Sequence, residues 1–306
     1  LSLISKNVHL YTEMIVANAI IRGDRNKLLS FKKISNPVIL QVGGSNPEEL
    51  AEACKISEDY GYKEINLNLG CQSKKVQKNK FGACLMQEPD LVARCIEAMA
   101  IATKLPITIK TRIGYNEVED FKFLKSFIQK TKDAGSKKFI IHARKALLKK
   151  LSPKENLNIP PLKYDFVYRL KDNFKNDEII INGGIKTTKE IKNHLSKVDG
   201  VMIGRAIYHS PYLLAEIEKE VFGSKNIPTR SEVMENLIPY VQEETSKGTQ
   251  LNHIMRHTVG LFHGQNGSRV WKQYLSKNMC IRDADLKKVN HIMNQVKKTN
   301  SVSLER

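Results

Sequence analysis

Residues 65–86 read INLNLGCQSKKVQKNKFGACLM, and their texture sets the reading of the whole chain. A β-type run from Ile65 ends in a turn that holds an amide, Asn68, a glycine, Gly70, and a thiol, Cys71. Lys74, Lys75, Lys78 and Lys80 follow at once. A thiol on a tight loop at a strand end, beside a cationic stretch, points to proton or nucleophile chemistry on an anionic polymer.

The same strand-then-turn texture recurs on both sides. Candidate strands are His9–Ile15, Val38–Val42, Glu64–Asn68, Ile107–Thr111, Lys138–His142, Glu178–Asn182 and Gly200–Ile203. Most are short continuous apolar runs, the pattern of buried parallel strands. Amphipathic helices fall between them over Pro47–Tyr60, Pro89–Thr103, Phe121–Ala134 and Lys189–Leu195. This alternation predicts a parallel α/β fold. A closed (β/α)8 TIM barrel needs eight strands. A first strand upstream of Leu1 would complete it, and the missing initiator Met agrees. The rival is an open doubly wound sheet, disfavoured because no GxGxxG follows the early strands.

After Phe222 the texture changes. Gly223, Ser224, Asn226 and Pro228 form a linker. Helical patterns alone follow, over Ser231–Ser246, Leu251–Phe262, Ser268–Lys277 and Ala284–Lys298, with Ser231 as the helix start. The expected division is a barrel domain over 1–225 and an all-α helical domain over 229–306.

The chain has 306 residues, a formal net charge of +18 and 41% hydrophobic residues. That suffices for a large core, and no apolar run reaches the roughly 18 residues of a membrane span. No signal peptide is visible. The basic excess argues for an anionic partner, nucleic acid first, or else for a surface kept soluble by lysine. Five cysteines without a CxxC argue against a zinc site and for a reduced, cytoplasmic setting. Cys54 and Cys95 fall on apolar helix faces and Cys84 sits in GACLM, all expected to be packed; Cys280 has no constellation around it.

Working groups of a barrel lie at the carboxyl ends of its strands. Those ends carry Gln41, Asn68 with Cys71, Lys110 with Arg112, His142 with Arg144 and Lys145, Asn182-Gly183-Gly184, and Gly204-Arg205. The last glycines either admit phosphate oxygens to the backbone or only make tight turns; Arg205, which can fork onto a phosphate, favours the first. Lys110 must meet an anion or bear a desolvation cost. A reduced flavin, anionic on its pyrimidine edge, would suit it, as would a nearby carboxylate. His142 could bind phosphate, touch a flavin ring or act as a base. Cys71 is an acid, a nucleophile or an inert turn thiol.

The stretches LYTEMIVANAIIRGD, PVILQVGGSNPEELA, EINLNLGCQSKKVQKNKFGACLM, ITIKTRIG, FIIHARKALLKKLSPKENLNIPPL, INGGIK, DGVMIGRAIY and GTQLNHIMRHTVGLFHG carry a resemblance. The chain resembles the tRNA-dihydrouridine synthases, specifically the branch acting on D-loop positions 20 and 20a. The resemblance implies an FMN-bound barrel, NADPH as reductant of the flavin, and reduction of the uracil C5–C6 bond in tRNA. By matching motif, Cys71 would protonate C5 and Asn68 would hold the target uridine. Gln41, Lys110 and His142 would contact FMN, and Asn182, Gly183, Gly184, Gly204 and Arg205 its phosphate end. Arg144, Lys145, Lys154, Arg256, Arg269 and Lys272, with Lys74 and Lys75, are candidate tRNA contacts; Trp271 is a base-stacking platform or a core anchor.

The sequence departs from that family twice. The family loop reads Gly-Cys-Pro-Ser, whereas Gln72 stands here, removing a fixed φ. The opening strand with its Ala-Pro-Met motif is absent, so poor FMN binding by this chain alone is expected. Two other readings are an RNA-binding protein without catalysis and a reductase of free pyrimidines.

Overall fold

The strand that leads into Cys71 shows how one sequence pattern builds two different surfaces. In the computed structural model, which describes residues 1–148 and 152–278, this strand, β3, covers Glu64–Leu69 and is buried along its whole length. Side chains alternate across a strand. Ile65, Leu67 and Leu69 therefore lie on one face, and Glu64, Asn66 and Asn68 on the other. β3 is thus not one of the continuous apolar runs that make up most of the candidate strands. It is a half-polar strand whose polar half is buried as well.

The other strands are β1 (Leu10–Val16), β2 (Val38–Gly43), β4 (Ile107–Arg112), β5 (Lys138–His142), β6 (Glu178–Asn182) and β7 (Gly200–Met202). Each expected strand is present, its ends as expected or shifted by one residue. All pairings are parallel, and the seven strands lie side by side in chain order. A doubly wound sheet reverses its strand order at a switch point. Unbroken sequential order excludes that rival and is the order in which a βα barrel winds.

Register makes the two faces continuous. Leu40 pairs with Ile65, Ile65 with Ile107, Ile109 with Phe139 and Phe139 with Ile179, forming a fully apolar face. These residues are all buried. On the opposite face Gln41 pairs with Asn66 and Asn66 with Thr108, while Asn68 pairs with Lys110. Arg112 pairs with His142, and His142 with Asn182.

The helices of this unit start where local chemistry dictates. Asn46 caps the helix Pro47–Ser57 by accepting the Glu49 N–H at 2.8 Å, and Pro47 occupies the first turn. Pro89–Ala102 and Phe121–Asp133 follow the expected spans. Several short helices were not anticipated, among them Ala17–Arg22, Lys74–Lys78 and Tyr164–Asn173.

The chain divides into two compact units, Val8–Ile185 with Lys189–Met202, and Leu1–Asn7 with Lys186–Thr188 and everything from Ile203 on. The second unit is held by its own polar anchors. The buried Glu218 carboxylate accepts from the Ser5 hydroxyl, from Asn7 Nδ2 at 2.9 Å and from Ser224 Oγ at 2.6 Å. Burial alone would raise its pKa, but these donors outweigh it and hold the group below the usual range. Trp271 is fully buried, its indole N–H donating to the Thr258 carbonyl at 3.0 Å, so it is a core anchor. The helix expected to start at Ser231 starts instead at Arg230, with Thr229 as cap. Thr229 Oγ1 accepts the Glu232 N–H, and the Glu232 carboxylate accepts the Thr229 N–H. The expected helix Ala284–Lys298, Cys280, Lys149 and Lys150 lie outside the described residues. Among the described residues no helix is long and apolar enough to cross a membrane.

Phe139, fully buried on the apolar face of β5, tests this layering. Phe139→Ala is expected to lower stability by about 3–5 kcal/mol in urea titrations, through lost burial and the cavity left behind.

Candidate functional site

The carboxyl ends of β2 to β6 gather most of the expected site residues of the first unit. Cys71 is half-exposed on the loop after β3, and its backbone is held from three directions. Asn68 Oδ1 accepts the N–H groups of Gly70 at 3.1 Å and of Cys71 at 2.9 Å. The Cys71 carbonyl accepts the Ala83 N–H at 2.7 Å. The Gly70 carbonyl accepts Arg112 Nε at 3.0 Å. The next carbonyl, of Gln72, accepts Gln77 Nε2 at 2.7 Å. Hydrogen bonds therefore set the path that a proline ring would have set, and Gln72 itself is buried. The GACLM segment closes over the loop. Ala83 packs with Ala146 and Leu148, and Cys84 and Tyr115 lie against that cluster, so Cys84 is packed as expected. Cys54 and Cys95 are buried.

Gly82 is required where it stands. Its φ is +74°, and a Cβ there would sit 2.5 Å from the Cys71 carbonyl oxygen. Backbone cannot yield as a flexible side-chain tip would, so the thiol loop and this turn fit only with glycine.

Lys110 occupies the strand position paired with Asn68. Among the described residues it makes no hydrogen bond or ion pair, and no carboxylate acts on it. Burial first, and then the Arg112 charge, push its ammonium down to about 8, with Cys71 acting in the opposite direction. The alternative of a carboxylate partner is therefore not what the fold supplies. Arg112 is buried and was not singled out from the sequence as a loop clamp. Besides Gly70 it donates to the carbonyls of Lys145 at 3.1 Å and Asn156 at 3.4 Å. Burial lowers its pKa to about 10, so it stays cationic at neutral pH.

On the next strands, buried His142 stands beside Asn182 and Gly183. Gly183 has φ +120°, and a Cβ would come within 2.6 Å of the His142 ring. Gly184 has φ +73° and is crowded by Leu162 in the same way. The Tyr164 hydroxyl donates to the Gly183 carbonyl at 2.6 Å, and Asn182 Nδ2 donates to the Met202 carbonyl at 2.8 Å. Leu162 and Tyr164 were missed because only the fold brings them to this corner. Gln41 has each end of its amide engaged once, Nε2 with Asn66 Oδ1 at 3.0 Å and Oε1 with Asn68 Nδ2 at 2.8 Å. One N–H and one lone pair remain for a ligand.

The other expected residues separate from this group. Gly204 and Arg205 belong to the second unit, where Arg205 opens the helix Arg205–His209 and a Cβ on Gly204 would meet nothing within 4 Å. Arg144 is buried, with its guanidinium on the carbonyls of Asn158 and Pro160. Lys145 pairs with Glu119 at 3.2 Å. Arg144 braces its own loop, and Lys145 ties that loop to the one after β4. Lys154, Arg256, Arg269 and Lys272 are exposed, as are Lys74, Lys75, Lys78 and Lys80.

A parallel α/β sheet wound in chain order, with a thiol, an unpartnered ammonium, amides and glycines at its carboxyl edge, defines the class: a protein whose site is built on βα loops, as in barrel enzymes. The family follows from its relatives. A family profile described as dihydrouridine synthase (Dus) matches residues 2–297, and the chain belongs to that family. A tRNA-dihydrouridine(20/20a) synthase of Synechocystis sp. is 47% identical over 282 residues, covering 92% of this chain and 84% of that protein. The protein of the same name from Vibrio cholerae is 46% identical over 296 residues, covering 96% and 90%. That from Shewanella oneidensis is 48% identical over 277 residues, covering 90% and 82%.

Two outcomes test the site as built. Gly82→Ala is expected to cost about 1–3 kcal/mol through its positive φ and the Cys71 contact, measured by urea titration. For Lys110 the folded-state value near 8 lies below its ordinary 10.5. Its destabilising effect is thus fully present below pH 8 and fades as pH rises from there through 10.5. Lys110→Met should be more stable than the parent at pH 7, and the difference should close by about pH 10–11.

Proposed function

We propose that this chain reduces uridine to 5,6-dihydrouridine in the tRNA D-loop, at positions 20 and 20a, with FMN as resident cofactor and NADPH as reductant. The observation that carries this reading is a half-exposed, backbone-anchored thiol, Cys71, near Lys110, an ammonium that lacks a carboxylate partner among the described residues. The relatives' shared name supports the substrate. In the same reading the sheet is part of a (β/α)8 barrel, with a catalytic domain over 1–225, a tRNA-binding helical domain over 229–306, and work in the cytoplasm.

The residues present fit FMN. Lys110 offers an uncompensated positive charge to an anionic pyrimidine edge, Gln41 keeps a free donor and acceptor, and His142 stands at the adjoining strand end. Gly183 and Gly184 hold positive φ beside it, and with Asn182 they are the proposed phosphate-end contacts. When bound, FMN supplies the hydride that reaches uracil C6. The protein's part is orientation and the proton. Asn68 holds the uracil, and the base must leave its stack to arrive there. As charge builds on C5 and O4, Cys71 gives its S–H proton to C5. The resulting thiolate lies beside the Lys110 cation and regains its proton from solvent. Exposed Lys74, Lys75, Lys154, Arg256, Arg269 and Lys272 supply salt-sensitive affinity for tRNA phosphates without reading bases. Arg144, engaged with its own loop, and Lys145, engaged with Glu119 of the loop after β4, shape the rim instead.

With FMN added to saturation, the protein should bleach on addition of NADPH and form dihydrouridine in unmodified tRNA. Cys71→Ala should bleach equally while dihydrouridine formation falls by about 10²–10⁴-fold, the range of a lost general acid. Full turnover in that variant would overturn the acid role; a colourless protein that still retards tRNA on a gel would favour binding without catalysis.

A further inference from the structure

The polar face of the sheet holds a hydrogen-bonded chain that runs from its floor to the Cys71 loop, and its polarity is set at both ends. At the floor, buried Glu64 accepts Lys138 Nζ at 2.8 Å and the Tyr11 hydroxyl at 3.0 Å. Burial works against the Lys138 charge, but Glu64 and Glu178 outweigh it and hold the ammonium above its usual range. Thr108 Oγ1 lies 3.3 Å from Glu64 Oε1, and a carboxylate can only accept, so the single hydroxyl proton points down. The Thr108 oxygen is then left to accept Asn66 Nδ2, at 2.9 Å. That turns Asn66 Oδ1 toward Gln41 Nε2, Gln41 Oε1 toward Asn68 Nδ2, and Asn68 Oδ1 toward the N–H groups of Gly70 and Cys71. Those N–H groups can only donate. Reversing any one amide would set donor against donor along the row.

We propose that Thr108, oriented by Glu64, is a positioning residue: it locks the amide orientation of Gln41 and Asn68 and thereby the backbone that carries Cys71. Neither Thr108 nor Glu64 reaches the reacting atoms; they act through Asn66. This deepens the proposed function and rests on it for the catalytic consequence, whereas the structural part stands on the hydrogen bonds alone. A buried amide with two interchangeable ends has no orientation of its own. A fixed charge below and a fixed donor pair above give it one, and a relay of three amides transmits that choice from the floor of the sheet to the thiol loop.

The test replaces the hydroxyl with a methyl of the same shape. Amide hydrogen exchange of the whole chain, without cofactor, is compared for the parent, Thr108→Val and Thr108→Ser. Thr108→Val should raise exchange at Gly70 and Cys71 by about tenfold, the worth of one buried hydrogen bond, while Ile140 on β5 keeps its parent rate. Thr108→Ser should restore the parent pattern. In FMN-loaded protein, Thr108→Val should slow the tRNA-dependent reoxidation about tenfold at saturating tRNA, leaving reduction by NADPH within twofold. Equal exchange in the valine and serine variants, or a rise spread evenly over the sheet, would overturn the relay. If the valine variant does not fold, Thr108→Ala serves the same comparison. Failure of the parent to form dihydrouridine would refute the proposed function but leave the exchange result to decide the relay.

Discussion

One amide oxygen carries the site. Asn68 Oδ1 takes the N–H groups of both Gly70 and Cys71, so the two peptide units that carry the thiol are tied to a side chain rooted in the sheet. A loop held only at its ends would place a thiol anywhere within a few ångströms. A loop whose successive N–H groups share one buried acceptor has a single path. Arg112 below and Ala83 beside it remove the remaining freedom by engaging the carbonyls of Gly70 and Cys71.

This arrangement depends on the sheet being polar on one buried face. Parallel strands are usually apolar on both sides. Here Glu64, Asn66, Asn68, Thr108 and Lys138 are all buried. Each such group would be costly without a partner, and all of them find one along the row. Lys110, half-buried on the same face, differs: no carboxylate among the described residues answers it. A cation that no carboxylate among the described residues answers marks a place where a ligand completes the charge balance.

Much of this was legible in the residues. All seven strands and the three long helices of the first unit followed from periodicity, because buried parallel strands and amphipathic helices obey simple spacing. The polar half of β3 was open to the same reading. Its alternation E-I-N-L-N-L already carried the period of two, but composition averages it into a hydrophobic stretch. The start of the helix Arg230–Ser246 was placed one residue late because Thr229 and Ser231 are both good caps, and only reciprocal bonds with Glu232 distinguish them. Arg144 and Lys145, candidate substrate contacts by charge, turned out to be engaged with carbonyls and with Glu119. Charge in a sequence says nothing about whether a partner lies 15 or 25 residues away.

The amino-acid sequence by itself determined the parallel α/β class, the sequence of strand ends on which the chemistry sits, the thiol loop and the family. Those are local properties of spacing and motif, carried by neighbours in the chain. Tertiary structure decided which groups answer one another: that Gln41, Asn66, Asn68 and Thr108 form one directional row, that Arg112 clamps the Cys71 loop, and that no carboxylate among the described residues answers Lys110. Those outcomes depend on strand register and on distances between segments 25 to 75 residues apart, and a hydrogen bond exists only where both partners arrive within about 3 Å of each other.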